Sequence, residues 1–382
     1  MMVNVVLAGI GGYGEGYLKA MLEDADAHDV RLAGCVDPFA SLSKSMEVLR
    51  QHNIPVYANL EEFYKNHFAE LAVISSPIHC HKSQTIEALE SGSNVLCEKP
   101  IAALVEDAFA MAAAAKKAKR FVAIGYQWSF SPANIALKKD ILAGYYGKPK
   151  RFKAYTCWPR WESYYKRNNW AGRIKTDDGQ WIIDSPANNA TAHYLHNMFF
   201  VAGAAINKSV APKKIEAELY RAKPCENYDT AAMRIMTDVN VEILFLTTHS
   251  CQKAVGTIME LEFENGKVTF NPEDSQLIGL TTRGDKKIYG NPYDDEMHKL
   301  WECIKAVRSN GMIPCDIDTA LPHLVCINKI QKMPIHVMPQ NMIKTTCRDN
   351  DRLTYIEGVE NCFTKCFETY SLPSEVNNDY KA

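Results

Sequence analysis

Lys99 stands one residue beyond an apolar run, in VLCEKPIAA (95–103), between Glu98 and Pro100. A lysine held at the end of a buried strand, partly desolvated and near a cofactor cation, can have its pKa drawn down towards neutrality. It can then take a proton from a hydroxyl and return it to an alkoxide. The same two charges could equally form a solvated ion pair. A second group of residues suits a pyrophosphate. GIGGYG sets Gly9, Gly11 and Gly14 in GxGxxG spacing, with Gly12 and Tyr13 between them. Gly9 permits a tight turn, Gly11 admits a close backbone approach and Gly14 lets helix and strand pack closely, while the helix N-terminus offers N–H groups and a favourable dipole. Asp37 closes the next apolar run. Its carboxylate can accept hydrogen bonds from an adenosine ribose and would repel a 2′-phosphate, which favours NAD over NADP, although Lys44 nearby weakens that preference.

These groups need a scaffold that brings strand ends together. Up to about residue 125 apolar runs alternate with helical patterns: VNVVLAG, a helix over Tyr13–Glu23, VRLAGCVD, the helical SLSKSMEVLRQH with a serine to cap it, PVYA, a helix over Leu60–Asn66, ELAVISSP, HKSQTIEALESG, SNVLCEKP, a helix over Leu104–Lys119 and RFVAIGY. Strands this apolar, separated by helices, imply a parallel sheet covered on both faces. Ligands of such sheets gather at the carboxyl ends of the strands. Ser76, Pro77 and His81 would then line the fourth strand's end, and Glu98 and Lys99 the fifth's. After Tyr126 the pattern changes. SPANIALKKDILAGYYGK reads as a helix, and between Lys150 and Thr269 RFKAYTCW, KIEAELYRA, TAAMRIMT, VEILFLTTHS and TIMELEFENGKVTF predict an antiparallel meander with a turn at ENGK. A helix over Ala192–Ala202 interrupts it. Asp294–Ser309 and Thr319–Gln331 read as further helices, and the last fifty residues carry little pattern. The expected class is α/β plus α+β: a doubly wound Rossmann domain over 1–126, then an open, mostly antiparallel β-sheet domain flanked by helices over 127–382. That second domain would bind substrate and oligomerise, with its C-terminal helices free to pack back on the first.

Of 382 residues 23% are charged, and the net charge of −2 makes no field to attract nucleic acid or an anionic membrane. The longest low-polarity stretch, Ala108–Ala115, is too short to span a bilayer. The chain enters a strand within its first residues, which leaves no room for a signal peptide. Twelve cysteines without a CxxC pair read as reduced thiols of a cytosolic protein. His79 and His81 around Cys80 offer too few ligands for a metal, and none is expected.

The glycine loop with Asp37, SSPIHCHKSQTIEALESGSNVLCEKPIAA, GYQWSFSPA, LAGYYGKPKRF and DGQWIIDSPANNATAHYLHNMFFVAG together resemble the Gfo/Idh/MocA family of sugar and cyclitol dehydrogenases, over most of the chain up to about residue 330. The resemblance implies that Lys99 meets the substrate carbinol together with an aspartate and a histidine, usually four residues apart. Asp184 matches the aspartate. Four residues on lies Asn188, whereas His193 keeps the family's usual distance to the closing Gly203. An insertion of five residues assigns the histidine to His193; a replacement would leave Asn188 in its place. His196 falls where the family often has another aspartate, and Ser129, near Gln127, stands where an arginine is frequent. Helix capping and a satisfied core histidine are the plain alternatives for Asp184 and His193.

WPRWESYYKRNNWAGR (158–173) sets aromatic platforms beside amide and guanidinium donors, which suits the CH faces and hydroxyls of a sugar. Trp158, Arg160, Tyr164, Tyr165, Arg167, Asn168 and Trp170 are the candidates, with core packing or subunit contact as the alternative for each aromatic. Gln127, Asn188 and His196 join them as expected substrate contacts. The expectation is a cytoplasmic NAD-linked oxidoreductase acting on a secondary hydroxyl or ketone of a sugar, cyclitol or derivative. One rival is a hydrolase of the same fold that oxidises a glycoside transiently and eliminates its aglycone; another is a non-catalytic NAD-binding sensor, against which Lys99 itself argues. The family also implies a homodimer or homotetramer through the C-terminal sheet.

Overall fold

The computed structural model describes residues 2–381. β1 (Val3–Ala8), α1 (Gly14–Glu23), β2 (Val30–Val36), α2 (Ser45–Gln51), β3 (Val56–Tyr57), α3 (Leu60–Asn66), β4 (Leu71–Ile74), α4 (His81–Glu90), β5 (Asn94–Cys97), α5 (Val105–Ala118) and β6 (Val122–Ile124) alternate as the apolar pattern predicts. All four residues of β4 are buried, as a strand covered on both faces requires. The sheet order is β3-β2-β1-β4-β5-β6, with every pairing parallel. Ala8 pairs with Ile74 and Ile74 with Cys97, so the chain leaves β1, β4 and β5 at adjacent points. The glycine loop, Ser75–Pro77 and Glu98–Lys99 therefore start side by side. The predicted helix at SLSKSMEVLRQH is shorter than expected. Ala40–Leu42 form a 3₁₀ turn, Ser43 is extended, and α2 begins at Ser45, whose N–H donates to Ser43 Oγ at 3.2 Å.

The rest of the chain comprises α6 (Pro132–Leu142), β7 (Pro149–Cys157), α7 (Glu162–Lys166), α8 (Ala192–Val201), β8 (Pro212–Arg221), β9 (Thr230–Thr237), β10 (Glu242–Thr248), β11 (Val255–Phe263), β12 (Gly266–Phe270), β13 (Leu277–Thr281), β14 (Lys286–Gly290), α9 (His298–Ser309), α10 (Ile317–Ile330), β15 (Ile335–Val337), β16 (Ile343–Arg348), β17 (Asp351–Ile356), α11 (Val359–Thr369) and α12 (Pro373–Val376). Nine strands form one sheet in the order β14-β13-β12-β11-β7-β10-β9-β8-β15. It is mostly antiparallel, and the hairpin at ENGK turns where the sequence predicts, with Phe263 opposite Gly266. It is not a simple meander. β10 and β11 run in opposite directions on either side of β7, so β7 is antiparallel to β11 and parallel to β10.

The chain divides into two compact units. Residues up to Ser131 join Tyr293–Leu321 in the first; Pro132–Pro292 and the residues from Pro322 on form the second. α9 accordingly belongs to the first unit, where it packs on β1, β4 and β5. In the second, Tyr155, Cys157, Tyr220, Leu244 and Leu246 of the nine-stranded sheet share a core with Phe363, Cys366, Leu372 and Tyr380. Those sheet positions are buried by the chain's own last residues. No helix among the described residues is long and apolar enough to cross a membrane.

Candidate active site

The loop after β1 has the shape a dinucleotide needs. Gly9 has φ +87°, and a Cβ there would stand 2.7 Å from the Ser75 carbonyl oxygen; one on Gly14 would stand 2.0 Å from that of Gly9. On Gly11 or Gly12 a Cβ would meet nothing within 4 Å, so these two face open space at the start of α1. Asp37 turns towards this loop: Oδ2 accepts from Ile10 N at 3.2 Å and Oδ1 from Phe39 N at 2.8 Å. Close packing beneath, open space above and a carboxylate at the end of β2 fit NAD.

The next two strand ends are tied to each other by His81, the first residue of α4. Its Nδ1 lies 2.8 Å from the Pro100 carbonyl and 3.3 Å from that of Ile101, and its Nε2 lies 2.9 Å from that of Ser76. Burial draws its pKa below the ordinary histidine value against the pull of these carbonyls. Ser76 Oγ donates to Gln84 at 2.6 Å, and Pro77 starts the turn into α4. His81 thus braces the Lys99 loop from the β4 side.

Glu98 braces it from the other side. Its carboxylate accepts from Tyr17 OH at 2.6 Å, from Lys299 Nζ at 2.5 Å and from the Lys99 N–H at 3.1 Å. Lys299 is 1% exposed and also donates to Tyr13 OH (3.1 Å) and the Gly125 carbonyl (3.3 Å), while Tyr13 OH donates to Gln127 Oε1 at 3.3 Å. Burial by itself would raise the Glu98 pKa, but the Lys299 ammonium and the hydrogen bonds outweigh it and hold the carboxyl below its ordinary value. Lys299 is the mirror case: burial lowers its pKa, and Glu98 and Tyr13 lift it above the ordinary value. Lys99 itself is half-buried, and its peptide bond to Pro100 is cis.

In the second unit Asp184 follows Ile183, which has φ +54°, a left-handed conformation that a β-branched residue rarely adopts. Asn188 Nδ2 donates to the Ile183 carbonyl at 2.8 Å and holds this turn. The Asp184 carboxylate accepts from Gly172 N at 2.6 Å and Asn189 Nδ2 at 2.8 Å, which fastens the 171–173 segment to it. Between Asp184 and His193, Pro186–Ala190 form a π-helical turn capped by Ser185. After it His193 lies in the first turn of α8, half-buried. Asn188 and His196 are both 0% exposed, and His196 stacks on Phe200 with its pKa pushed well below the ordinary value by burial. Both side chains are thus enclosed by the surrounding chain. An Asn188→Ala variant is expected to lose about 1–3 kcal/mol, the cost of leaving a buried carbonyl without its donor. Chemical denaturation checks this, and an unchanged midpoint would mean that Ile183 is held by other contacts.

The aromatic segment forms alternating layers of rings and guanidinium groups. Arg160 lies 5.6 Å from the Trp158 ring centre and 4.9 Å from that of Tyr164; Arg167 lies 3.6 Å from Tyr164 and 5.4 Å from Trp170. Tyr165 OH meets His249 Nδ1 at 3.3 Å. Asn168 Oδ1 accepts from Trp170 N (3.1 Å) and Ala171 N (2.7 Å), so its oxygen builds the turn into the Asp184 contact.

Residues 3–126 match a family model described as the Gfo/Idh/MocA oxidoreductase family, NAD-binding Rossmann fold. Over these residues the chain is similar to the Gfo/Idh/MocA family. NAD is the cofactor of this domain. The chain is similar to inositol 2-dehydrogenase 1 of Saccharopolyspora erythraea, 25% identical over 150 residues, which are 39% of this chain and 44% of that protein. It is also similar to 1-carboxy-3-chloro-3,4-dihydroxycyclohexa-1,5-diene dehydrogenase of Comamonas testosteroni, 28% identical over 239 residues, 62% of this chain and 57% of that protein. The matches span about half the length of these curated relatives. In fold it is similar to the WlbA dehydrogenase from Bordetella pertussis, solved with NADH and UDP-GlcNAcA, with a TM-score of 0.70, 19% identity and coverage of 86% of this chain and 95% of that one.

Three members of the first-unit site were missed in the sequence. Lys299 sits on the apolar side of α9 with Cys303 and Ala306, all buried. A lysine at i with apolar residues at i+4 and i+7 was the available signal. Tyr17, fully buried, is its counterpart on α1. Gly125 leaves room for the pair, since a Cβ there would stand 2.7 Å from Glu98 Oε1.

Proposed function

We propose that the chain is an NAD-dependent dehydrogenase that moves a hydride between nicotinamide and a secondary hydroxyl or ketone of a sugar, cyclitol or sugar derivative, with Lys99 as general acid/base. The observation that carries this reading is the exit of Lys99 from β5, two strands from the glycine loop, on a loop braced by His81 and Glu98. NAD, when bound, supplies or accepts the hydride. In oxidation the Lys99 amine takes the hydroxyl proton as the carbinol carbon loses its hydride; in reduction the ammonium returns it. Glu98, saturated by Tyr17, Lys299 and the Lys99 N–H, positions that loop. In the second unit His193 serves as the further proton carrier, and Asp184 positions the segment that carries the aromatic side chains. In the same unit Trp158, Arg160, Tyr165 and Trp170 hold the sugar. Two relatives named for an inositol and for a dihydroxylated ring acid support a secondary alcohol on a six-membered ring.

The test is a panel of sugars, cyclitols and glycosides scored for NADH formation and product identity. Net NADH with a ketone product supports the dehydrogenase. Aglycone release without net NADH would replace it with transient oxidation and elimination, and NAD binding without turnover of any class would point to a sensor. For cofactor choice, Asp37→Ala is expected to weaken NAD much more than NADP in parallel binding titrations, since only NAD offers both ribose hydroxyls to the carboxylate. Equal weakening would confine Asp37 to its loop contacts with Ile10 and Phe39.

A further inference from the structure

We propose that the cavity between α7, the 223–226 turn and the β16–β17 hairpin binds the oxyanion group, carboxylate or phosphate, of a small metabolite. All of its walls belong to the second unit, and neither Asp184 nor His193 is among them. Its volume is about 390 Å³, within the range of small-molecule sites.

The charges that line it do not balance. Lys166, Arg173, Lys223 and Arg352 face it against Glu162 and Glu226. Glu162 is shared by Lys166, at 3.0 Å, and Arg352. Arg173 is paired with Asp177 at 2.7 Å and lies 3.8 Å from Glu226. Lys223 is the exception. It is 6% exposed, and its Nζ donates to the Thr354 carbonyl; no carboxylate of the described residues lies within ion-pairing distance. Its backbone N–H and that of Ala222 donate to Asp229 Oδ2 at 2.7 and 2.8 Å, so the turn that presents it is fixed. A buried ammonium with a single neutral acceptor is costly unless something else neutralises it. Burial draws its pKa down, with Asp229 pulling the other way, as expected for a cation that awaits a partner. An oxyanion in the cavity would supply that partner and use the donors the ammonium has left, with Arg352 and Lys166 raising the local potential. Tyr165 is the one residue that this space shares with the sugar contacts proposed above, whereas Lys223 and Glu226 take no part in that reading.

The experiment is calorimetric titration of the full chain saturated with NAD, so that the glycine loop is occupied, with inorganic phosphate in one arm and malonate in the other. Saturable binding is expected in at least one arm, and the arm that binds identifies the oxyanion. Lys223→Met, which keeps most of the side chain's length and removes the charge, is expected to weaken that binding at least tenfold, while Lys223→Arg retains it. Glu226→Gln is expected to tighten it severalfold by removing a negative charge from the wall. An unchanged melting temperature or circular dichroism spectrum in each variant separates loss of binding from loss of fold. Absence of saturable binding in both arms, binding by a folded Lys223→Met within twofold of the wild type, or no tightening in Glu226→Gln would each overturn the proposal. If Lys223→Met does not fold, Glu226→Gln and Lys223→Arg decide.

Discussion

Replacing Lys99 with alanine is expected to lower turnover by at least about a hundredfold while NAD affinity stays within a few-fold of the wild type. The separation follows from how the loop is held. Its backbone is braced by groups that alanine leaves in place: Glu98 still accepts the N–H of residue 99, and His81 still meets the Pro100 and Ile101 carbonyls. The variant therefore removes a proton carrier without dismantling its support. Lys99→Arg should be nearly as inactive, because a guanidinium keeps the charge and cannot give up its proton near neutral pH. Fluorescence titration with NAD, followed by steady-state kinetics on an identified substrate, checks both halves. Near-normal turnover would take the acid/base role from Lys99, and joint loss of binding and turnover would make the residue structural.

Lys299→Met should be the most damaging substitution for stability, costing about 3–5 kcal/mol because it leaves Glu98 buried without its counter-charge. The pair lies 2.5 Å apart with side-chain exposures of 0% and 9%, so water cannot replace the lost ammonium. The pH dependence is distinctive. In the wild type the folded-state Glu98 pKa lies below its unfolded value, so its contribution is present above the ordinary carboxylate pKa and fades as pH falls through the folded value. The folded-state Lys299 pKa lies above its unfolded value, so its contribution holds below the ordinary lysine pKa and is lost as pH rises through the folded value. In the variant burial acts on Glu98 without Lys299 and raises its pKa. The variant then loses stability as pH rises from acid through that value, and the gap to the wild type is widest near neutrality. Adding Glu98→Gln should recover much of the loss. Urea denaturation at acid and neutral pH measures this, and a pH-independent gap or a double variant no better than Lys299→Met would show that the pair is not the main term.

Much of the scaffold was legible because its signals are local. Alternating apolar runs and helical patterns specify the parallel sheet, and ENGK marks a hairpin that forms where expected. β14 was missed because its first three residues are exposed and it carries no alternation to read. The β7–β10 pairing was missed because parallel neighbours need not be near in sequence. At the site, the glycine loop, Asp37 and the Lys99 loop could be named from type and spacing alone. The burial of Asn188 and His196 could not, because a buried and an exposed polar side chain look alike in a sequence.

The sequence by itself determined the NAD-binding scaffold and put a lysine at one of its strand ends, since periodicity, turn residues and glycine spacing act over a few residues. Only the tertiary structure decided what holds that lysine. Glu98 draws its counter-charge from Lys299, 201 residues away, and the sheet face of the second unit draws its cover from the last helices. A buried charge is tolerated only where a distant part of the chain returns to neutralise it, and nothing local to either residue records that meeting.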